Sequence, residues 1–593
     1  MASNKAFAIA IASENHKSPG LSPQFRLVAL GNDEASGEFY GQVEFIDVDR
    51  CQKEIRVPRD ELDLRPMLFK RLQRHGAYFS DDDSINDQAF AQYRSTLKNP
   101  QRFTVAKATG WRTEEHKAFV TNSSVVGRSQ KLIRSPSVSI PISRTCRGTL
   151  ANWHKRVATP AAYSSRMGIC ILAGLAAPLL DFAKLPPFGL MLFGCNDGGI
   201  GHGSKIGKST IQVGAGSTVG FGRAEDLPNF GSTELALTEL LSASNDLLLP
   251  INELGLLKGT TQDQYRSIMH LAYILGEGRG TTYSSYAQST MKMSVMKWRT
   301  IVIGSTEQSI DEIARVAGQT KPAGVAIRLM DLPAIAPGAP DIFDLAPETI
   351  KLADRPAWFE RQCKNLRRYC ARNHGVALTH FLEYVIQHRR EIPRRLNRYN
   401  AKFVAKVAAG ETDPAVRHVA KCFGHLYGAG IIGIQSGTLP WTNRQVRQFA
   451  IRCYRDARKS LKLESDLLAE GLERLRKMPR NKRLMVRGSI DPSRPQSFER
   501  ADGFIKRKGG VYRIVVRGEA FKRWFLDARE PAMVLRWLAA RGGLTARNGA
   551  PPSGPSIVWA ESQVDWPDKT RPRSVVMELP KSFLKTETWP QSH

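Results

Sequence analysis

Between residues 21 and 60 apolar and polar side chains alternate, in FRLVAL, FYGQVEFIDV and KEIRVP. A period of two puts one face of each segment on a core, so a small β-rich module is expected to open the chain. DELDLRPMLFKRLQRHG then changes to helical spacing, with Asp60 placed as an N-cap and Gly76 as a stop. FSDDDSIND reads as an acidic loop or helix cap, a second β-rich piece runs from Phe103 to Phe119, and SRTCRGTLANWHKRV leads into a helix. MGICILAGLAAPLLDFA is an apolar helix, too short to span a bilayer comfortably, whose small residues suit close packing in a soluble core. PPFGLMLFG is a short buried strand with a glycine-rich loop directly behind it. Beyond Asp344 the pattern turns helical and basic to about Leu472, and ERLRKMPRNKRLMVR (Glu473–Arg487) reads as a charged connector. The remainder is a compact strand–helix–helix–strand pattern.

With 593 residues, 42% of them hydrophobic, the chain is long enough for about three or four domains and can bury real cores. The eight cysteines are scattered and form no CxxC pair, which suits buried free thiols in a reducing compartment. No cluster has the ligand spacing of a structural zinc site. The N-terminal run AFAIAIA is too short for a span and its flank too weakly basic for a signal peptide, so a cytoplasmic protein without membrane partners is expected. Net charge is +30, split unevenly as +4 for residues 1–350 and +26 for residues 351–593. A basic half of that size attracts polyanions, nucleic acid first among them.

The chemistry concentrates in GCNDGGIGHGSKIGKST, Gly194 to Thr210. A strand, a glycine-rich loop, GK[ST] and a helix form the context of a phosphate-binding loop. Its cradle is expected from Gly203, Ser204, Lys205, Ile206, Gly207, Lys208, Ser209 and Thr210, with CNDGGIGH an insertion in front. Backbone N–H groups at the helix start favour phosphate. Lys208 would reach the outer phosphates of ATP, and the Ser209 hydroxyl would sit on Mg²⁺.

NDLLLPINELG supplies a second apolar strand ending in Asn252-Glu253, where Asp-Glu would be usual. The Asp normally holds Mg²⁺ through its water shell and the Glu polarises the attacking water. Asn252 brings no charge to that task, so weakened Mg²⁺ retention is expected. WRTIVIGSTEQS forms a third strand with Ser305 where an additional-strand ATPase senses the γ-phosphate. Arg328, in AGVAIRLMDLP, and Arg279, in GEGRG, are candidates to touch phosphate, Arg279 that of a neighbouring subunit; either is otherwise an ordinary surface arginine.

Several of these stretches recur in one order: GW at Gly110, GTLANWHKRVA, the GKST helix, LLLPINELG, GSTEQS, AGVAIRLMDLP, HGVALTHFLEYV, and GAGIIGI followed by LPWTNRQVRQFAIRCY. From about Phe25 to Ser460 the sequence thereby resembles the domain-of-unknown-function 927 family, in particular helicase-like proteins of mobile genetic elements. The resemblance implies a ring-forming AAA+-type ATPase akin to replicative helicases, which unwinds the DNA of the element encoding it. It assigns Lys208 and Ser209 to phosphate and Mg²⁺, Asn252 and Glu253 to the acidic motif, Ser305 to the sensor strand and Arg328 to phosphate. Family members carry a shorter loop and an Asp-Glu pair, and the departures here bear on hydrolysis rate more than on fold.

The last hundred residues read as a winged helix, with AMVLRWLAARGGL as a helix and RSVVMELP as a wing strand. Lys506, Arg507, Lys508, Arg513, Arg536 and Arg541 would supply its phosphate contacts, or a solvated face of a protein-contact domain. Lys292 and Lys297, between Arg279 and Arg299, lie where ring helicases project a hairpin into the channel; a buried strand pair is the alternative. The expected fold is α/β, a P-loop NTPase (AAA+-like) core at 111–350 between a β-rich module at 1–110 and a helical lid at 351–472. Connector and winged helix occupy 473–593. The expected function is an ATP-driven DNA helicase or translocase in a hexameric ring, in mobile-element or phage replication. Its rivals are a DNA-binding protein that uses nucleotide only to assemble and a regulatory or anti-phage ATPase.

Overall fold

A computed structural model describes residues 24–586 except 35–36, 99, 113–114, 123, 129–131, 135–141, 143, 195–201, 230–233, 253–259, 281–294, 462–463, 481–482, 487–500, 526, 528, 547–550, 552–555 and 567–569. It divides into two compact units. The first comprises residues 1–259, 267–309 and 327–455, and the second residues 260–266, 310–326 and 456–593.

The first unit opens as the alternation requires. Strands β1 (Phe25–Asp33), β2 (Phe39–Ile46) and β3 (Gln52–Pro58) form an antiparallel meander. β4 (Gln101–Val105) joins β1 in parallel. Two helices cover them, α1 (Arg65–Arg74) and α2 (Asp83–Thr96). The expected single helix from Asp60 is two: Asp60 lies inside a short turn of helix, Arg59–Leu62, and the chain restarts at α1, whose first turn holds Pro66. Proline cannot continue a helix but fits its first turn, which is why the break falls there. Asp82 caps α2, its carboxylate accepting from the Ser84 amide at 2.9 Å. A small three-stranded sheet follows, β5 (Gly110–Trp111), β6 (Ala118–Val120) and β7 (Val125–Gly127), and β8 (Leu132–Arg134) completes the first sheet in the order β3-β2-β1-β4-β8.

The centre of the unit is a parallel sheet of β9 (Phe188–Phe193), β10 (Leu248–Ile251), β11 (Ile301–Thr306) and β12 (Leu329–Pro333), in the order β10-β11-β9-β12. β10 and β11 are buried along their whole length. Strands covered on both faces must be apolar throughout, which explains FGLMLF and IVIGST. An isolated parallel bridge between Asn229 and Asn252 continues the sheet beyond β10. Helices α3 (Ser165–Ala176) and α4 (His202–Val219) pack together in this core, and α5 (Thr261–Glu277) leads toward β11. The helical run Ser165–Ala183 is long and apolar enough to cross a bilayer; it ends where expected, passing through a 3-10 turn, and gains its extra length from Ser165 and Arg166 at the start. It is nevertheless the buried centre of the unit, every residue of α3 being covered. Four helices follow, α6 (Arg355–Cys370), α7 (Val376–Gln387), α8 (Ile392–Val407) and α9 (Pro414–Gln435), and then α10 (Asn443–Lys459).

The second unit is built on a mixed sheet of β13 (Leu484–Val486), β14 (Gly503–Lys508), β15 (Val511–Arg517), β16 (Leu544–Ala546), β17 (Glu561–Gln563) and β18 (Arg573–Pro580). RSVVMELP is not an outlying wing: β18 is central, paired to β15 on one side and to β16 and β17 on the other. Its four consecutive buried residues, Ser574 to Met577, are the reason, since both faces are covered. Glu473–Arg487, read from the sequence as a charged connector, also carries core residues. It begins in α11 (Glu464–Lys477), and Leu475 and Met478 enter one core with Leu535 and Leu538 of α12 (Glu530–Ala539). Among the described residues Cys170, Cys363, Cys370, Cys422 and Cys453 are buried free thiols, while Cys51 and Cys146 are exposed.

Candidate functional site

In a parallel sheet every strand points its carbonyl end to one edge, and at this edge Lys208 lies. The ammonium comes from the second turn of α4 and is 7% exposed. It donates to Thr306 O at 2.7 Å and to Gly194 O at 3.2 Å, the last residue of β11 and the residue after β9. Gln212, one helical turn on, donates from Nε2 to Ile251 O at 2.8 Å, at the end of β10. Thus one face of α4 reads the ends of three neighbouring strands in turn. Among the described residues the buried Gln212 Oε1 has no hydrogen-bond partner.

Beside this edge, Asn252 donates its backbone N–H to Pro228 O at 2.7 Å. Its side-chain Oδ1 lies 3.4 Å from Ser305 Oγ, a long hydrogen bond in which the serine donates. Ser305 is 3% exposed, and its place follows from the register, Gly304 lying opposite Ile251. Lys208, Asn252 and Ser305 therefore gather at one sheet edge, from α4, β10 and β11. Glu253 lies outside the described residues.

The phosphate cradle differs in conformation from the sequence expectation. Gly203, Ser204, Lys205 and Ile206 belong to the first turns of α4, which starts at His202, instead of an open loop. The residues in front, 195–201, lie outside the described residues. Gly207 touches Ile342: a Cβ there would be 2.7 Å from Ile342 Cγ2, so the glycine answers a need for space. Ser209 is half-buried. Thr210 turns elsewhere. It is buried, its hydroxyl donates back to Ile206 O at 2.7 Å, and it hydrogen-bonds Cys363, whose thiol burial pushes up to about 11. A hydroxyl engaged in that way packs α4 on α6 and is not aimed at the strand ends.

Arg328 also departs from expectation. It occupies the turn before β12, and its carbonyl accepts from Gly189 N–H at the start of β9. That is the opposite edge of the sheet, about 16 Å of strand from Gly194. Its guanidinium lies over the Tyr273 ring, 5.3 Å from the centroid, so it does not touch a phosphate held by Lys208 of the same chain. Arg279 shares that far edge: exposed after α5, it forms an antiparallel bridge with exposed Lys297. Gly280 N–H donates to Met296 O and Trp298 N–H to Gly278 O, both at 2.9 Å. These bonds pair the chain before residue 281 with the chain after residue 294. Lys292, where a channel hairpin was expected, lies outside the described residues. Arg299, just beyond, is clamped by Asp246 at 2.6 Å and Asp181 at 2.7 Å.

The second unit collects most of its predicted basic residues on one ribbon. Lys506 of β14 pairs across the ladder with Arg513 of β15, and Arg507 with Tyr512, whose ring it covers. Lys506, Arg507 and Arg513 are exposed; the side chain of Lys508, at the hairpin end, is outside the description. Arg536 is half-buried on α12, and Arg541 is exposed with its guanidinium 4.2 Å from the Trp537 ring centroid.

Chemically, the first-unit edge offers a buried cation, a helix N-terminus and two neutral polar side chains, a set that receives an anion. Among the described residues no group of three His, Cys, Asp or Glu side chains could hold a metal ion. Gln212 and the Gly194 and Thr306 carbonyls were missed in the sequence; only the four-residue step from Lys208 to Gln212 signalled the first.

Residues 21–293, a little under half of the chain, match the family model described as Domain of unknown function (DUF927). The match stops well before Ser460, the expected end of the resemblance. Among solved structures the chain is similar to one described as "SCCmec type IV Cch - active helicase", at 15% identity, over 94% of each chain, with a TM-score of 0.57. At that identity the likeness is one of fold. No curated protein matches.

Proposed function

We propose that the protein is a P-loop ATPase of the AAA+ class that drives translocation on, or unwinding of, DNA in a ring of copies, hexameric by family resemblance. One observation carries the reading: the Lys208 ammonium is held at the carbonyl ends of β9 and β11, with β11 inserted between the loop strand and the Asn252 strand. A strand inserted at that place supports the reading of an additional-strand ATPase. The likeness of fold to a structure described as an active helicase supports it.

In this reading Lys208 and the backbone amides at the start of α4 hold the phosphates of ATP. Ser209 directly, and Asn252 through water, would hold Mg²⁺, which when bound neutralises charge on the outer phosphates. Glu253 would polarise the attacking water, and Ser305 would sense the γ-phosphate. Arg328 and Arg279 act on the phosphates of a neighbouring copy. The hairpin with Lys292 and Lys297 grips the strand, and the module at 473–593 adds phosphate contacts through Lys506, Arg507, Lys508, Arg513, Arg536 and Arg541. Replication of a mobile element or phage is the process it serves.

A second reading is favoured by Asn252, whose uncharged side chain bonds Ser305 where a carboxylate is usual. There the protein binds nucleotide and DNA but hydrolyses slowly, in a regulatory or anti-phage role. Turnover of ATP with Mg²⁺ and single-stranded DNA separates the two. DNA-stimulated turnover that disappears in Lys208→Ala is the expected result. Nucleotide binding without turnover sinks the first reading in favour of the second.

A further inference from the structure

Helix α8 reads IPRRLNRYNAKFVAKV, with five Lys and Arg residues and no Asp or Glu. Arg394, Arg398, Lys402 and Lys406 recur every fourth residue and are all exposed. Each step advances about 6 Å along the axis, close to the spacing of phosphates on an extended single strand. Like charges four residues apart repel on a helix, so the stripe is unfavourable until an anion lies along it. Arg390, in the turn before α8, continues it. Among the described residues Arg390, Arg394 and Arg398 make no ion pair, whereas Arg395 is matched by Glu391 and donates to Tyr384 Oη at 2.9 Å.

Arg390, Arg394 and Arg398 line an open cavity of about 1020 Å³, together with Gln435 of α9. Two aromatic rings line it. Tyr384 is stacked on His388, centroids 4.1 Å apart, and Tyr399 is fixed by Gln435 Nε2, which donates to its Oη at 2.8 Å. Arg398 rests on one face of the Tyr399 ring, 5.0 Å from its centroid, and donates to its Oη at 3.2 Å. A row of exposed cations without carboxylate partners beside held aromatic rings is the combination that takes single-stranded nucleic acid, phosphates on the cations and bases on the ring faces left open. A mononucleotide would use the cavity but leave Lys402 and Lys406 unmatched.

We infer that the α8 groove binds single-stranded nucleic acid, apart from the hairpin and the C-terminal module. The inference rests on the nucleic-acid part of the proposed function and is independent of ATP hydrolysis. The probe is a 5′-labelled 20-nucleotide oligothymidine, titrated with the full-length protein by fluorescence anisotropy over a range of salt. R394E/R398E is expected to bind at least tenfold more weakly, with a log–log salt slope shallower by about 1.4, two contacts at about 0.7 each. Its turnover of ATP without DNA stays unchanged. Tyr399→Phe binds as the parent does and Tyr399→Ser more weakly, which a purely electrostatic surface would not show. If the parent binds and R394E/R398E binds equally well with the same slope, this inference fails and the proposed function stands. If the parent binds no oligonucleotide, both fail. Competition by thymidine monophosphate as strong as by an equal concentration of oligothymidine overturns the extended groove in favour of a mononucleotide pocket.

Discussion

The place of Lys208 beside the end of β9 was legible from the buried strand, the glycine-rich stretch and Gly207-Lys208-Ser209 taken together, since that order returns a helix to the end of its strand. Thr210 was not: its bond to Ile206 O depends on where α4 begins, and a glycine-rich stretch does not declare that. Arg328 was placed on a strand or its edge, and it lies in the turn before β12; which edge of the sheet that turn serves was not legible, because it depends on the direction and pairing of the strand. At Asn252 the residue scale makes a sharp forecast. Asn252→Asp puts a charge 3.4 Å or so from Ser305 Oγ and within the water shell of a bound ion. Turnover should rise and half-saturate at lower Mg²⁺; an unchanged Mg²⁺ titration would refute the role given to this position. Arg144 belongs to folding instead. It is 4% exposed, and burial lowers its pKa to about 9. Its donors go to Asn122 Oδ1, Ser244 Oγ and Leu248 O. Arg144→Ala strands those acceptors and should cost about 3 kcal/mol or more, read as a lower urea midpoint.

Among the elements, strands and long helices followed from period and apolar runs, while the break before α1 and the central place of β18 did not. Alternation shows which face is covered but not which strands will be neighbours, and only pairing made RSVVMELP a core strand. Helix packing gives two forecasts. α3 meets α4 at Gly174, where a Cβ would lie 1.9 Å from Thr218 Oγ1. Gly174→Ala should destabilise by about 1–3 kcal/mol, and adding Thr218→Ala should recover part of it; additive losses would show that the contact is not the cause. On α9, His425 is fully buried, donates from Nε2 to Ala176 O at 2.9 Å, and has an unpartnered Nδ1. Burial lowers its pKa to about 4. The unfolded chain takes up the proton near pH 6.5 and the folded chain does not, so its effect is nil above that pH. Stability falls as pH drops from about 6.5 toward 4, by on the order of 2 kcal/mol at pH 5. His425→Leu should be weaker at pH 7.5 but lose less between pH 7.5 and 5 in urea unfolding.

For the whole molecule, the sheet separates Lys208 from Arg328 by its full depth, so under the proposed function the arginine would serve catalysis only across a contact between copies. Arg328→Ala should therefore bind ATP normally and turn it over poorly. Mixing it with Lys208→Ala should restore part of the turnover, because some contacts then join an intact lysine to an intact arginine. Mixtures no more active than the separate variants would exclude that arrangement. The uneven charge, +26 in residues 351–593, was plain from composition, but the α8 stripe within it emerged only when exposure and partners were known. β11 has one further consequence. It is six residues long and buried throughout, with Ser305 near one end and, just before the other, Arg299 in its carboxylate clamp. A strand is already near full extension and bonded on both flanks, so it can neither stretch nor buckle. A displacement of its Ser305 end would therefore pass along its length to Arg299, held between Asp181 and Asp246, with little lost on the way.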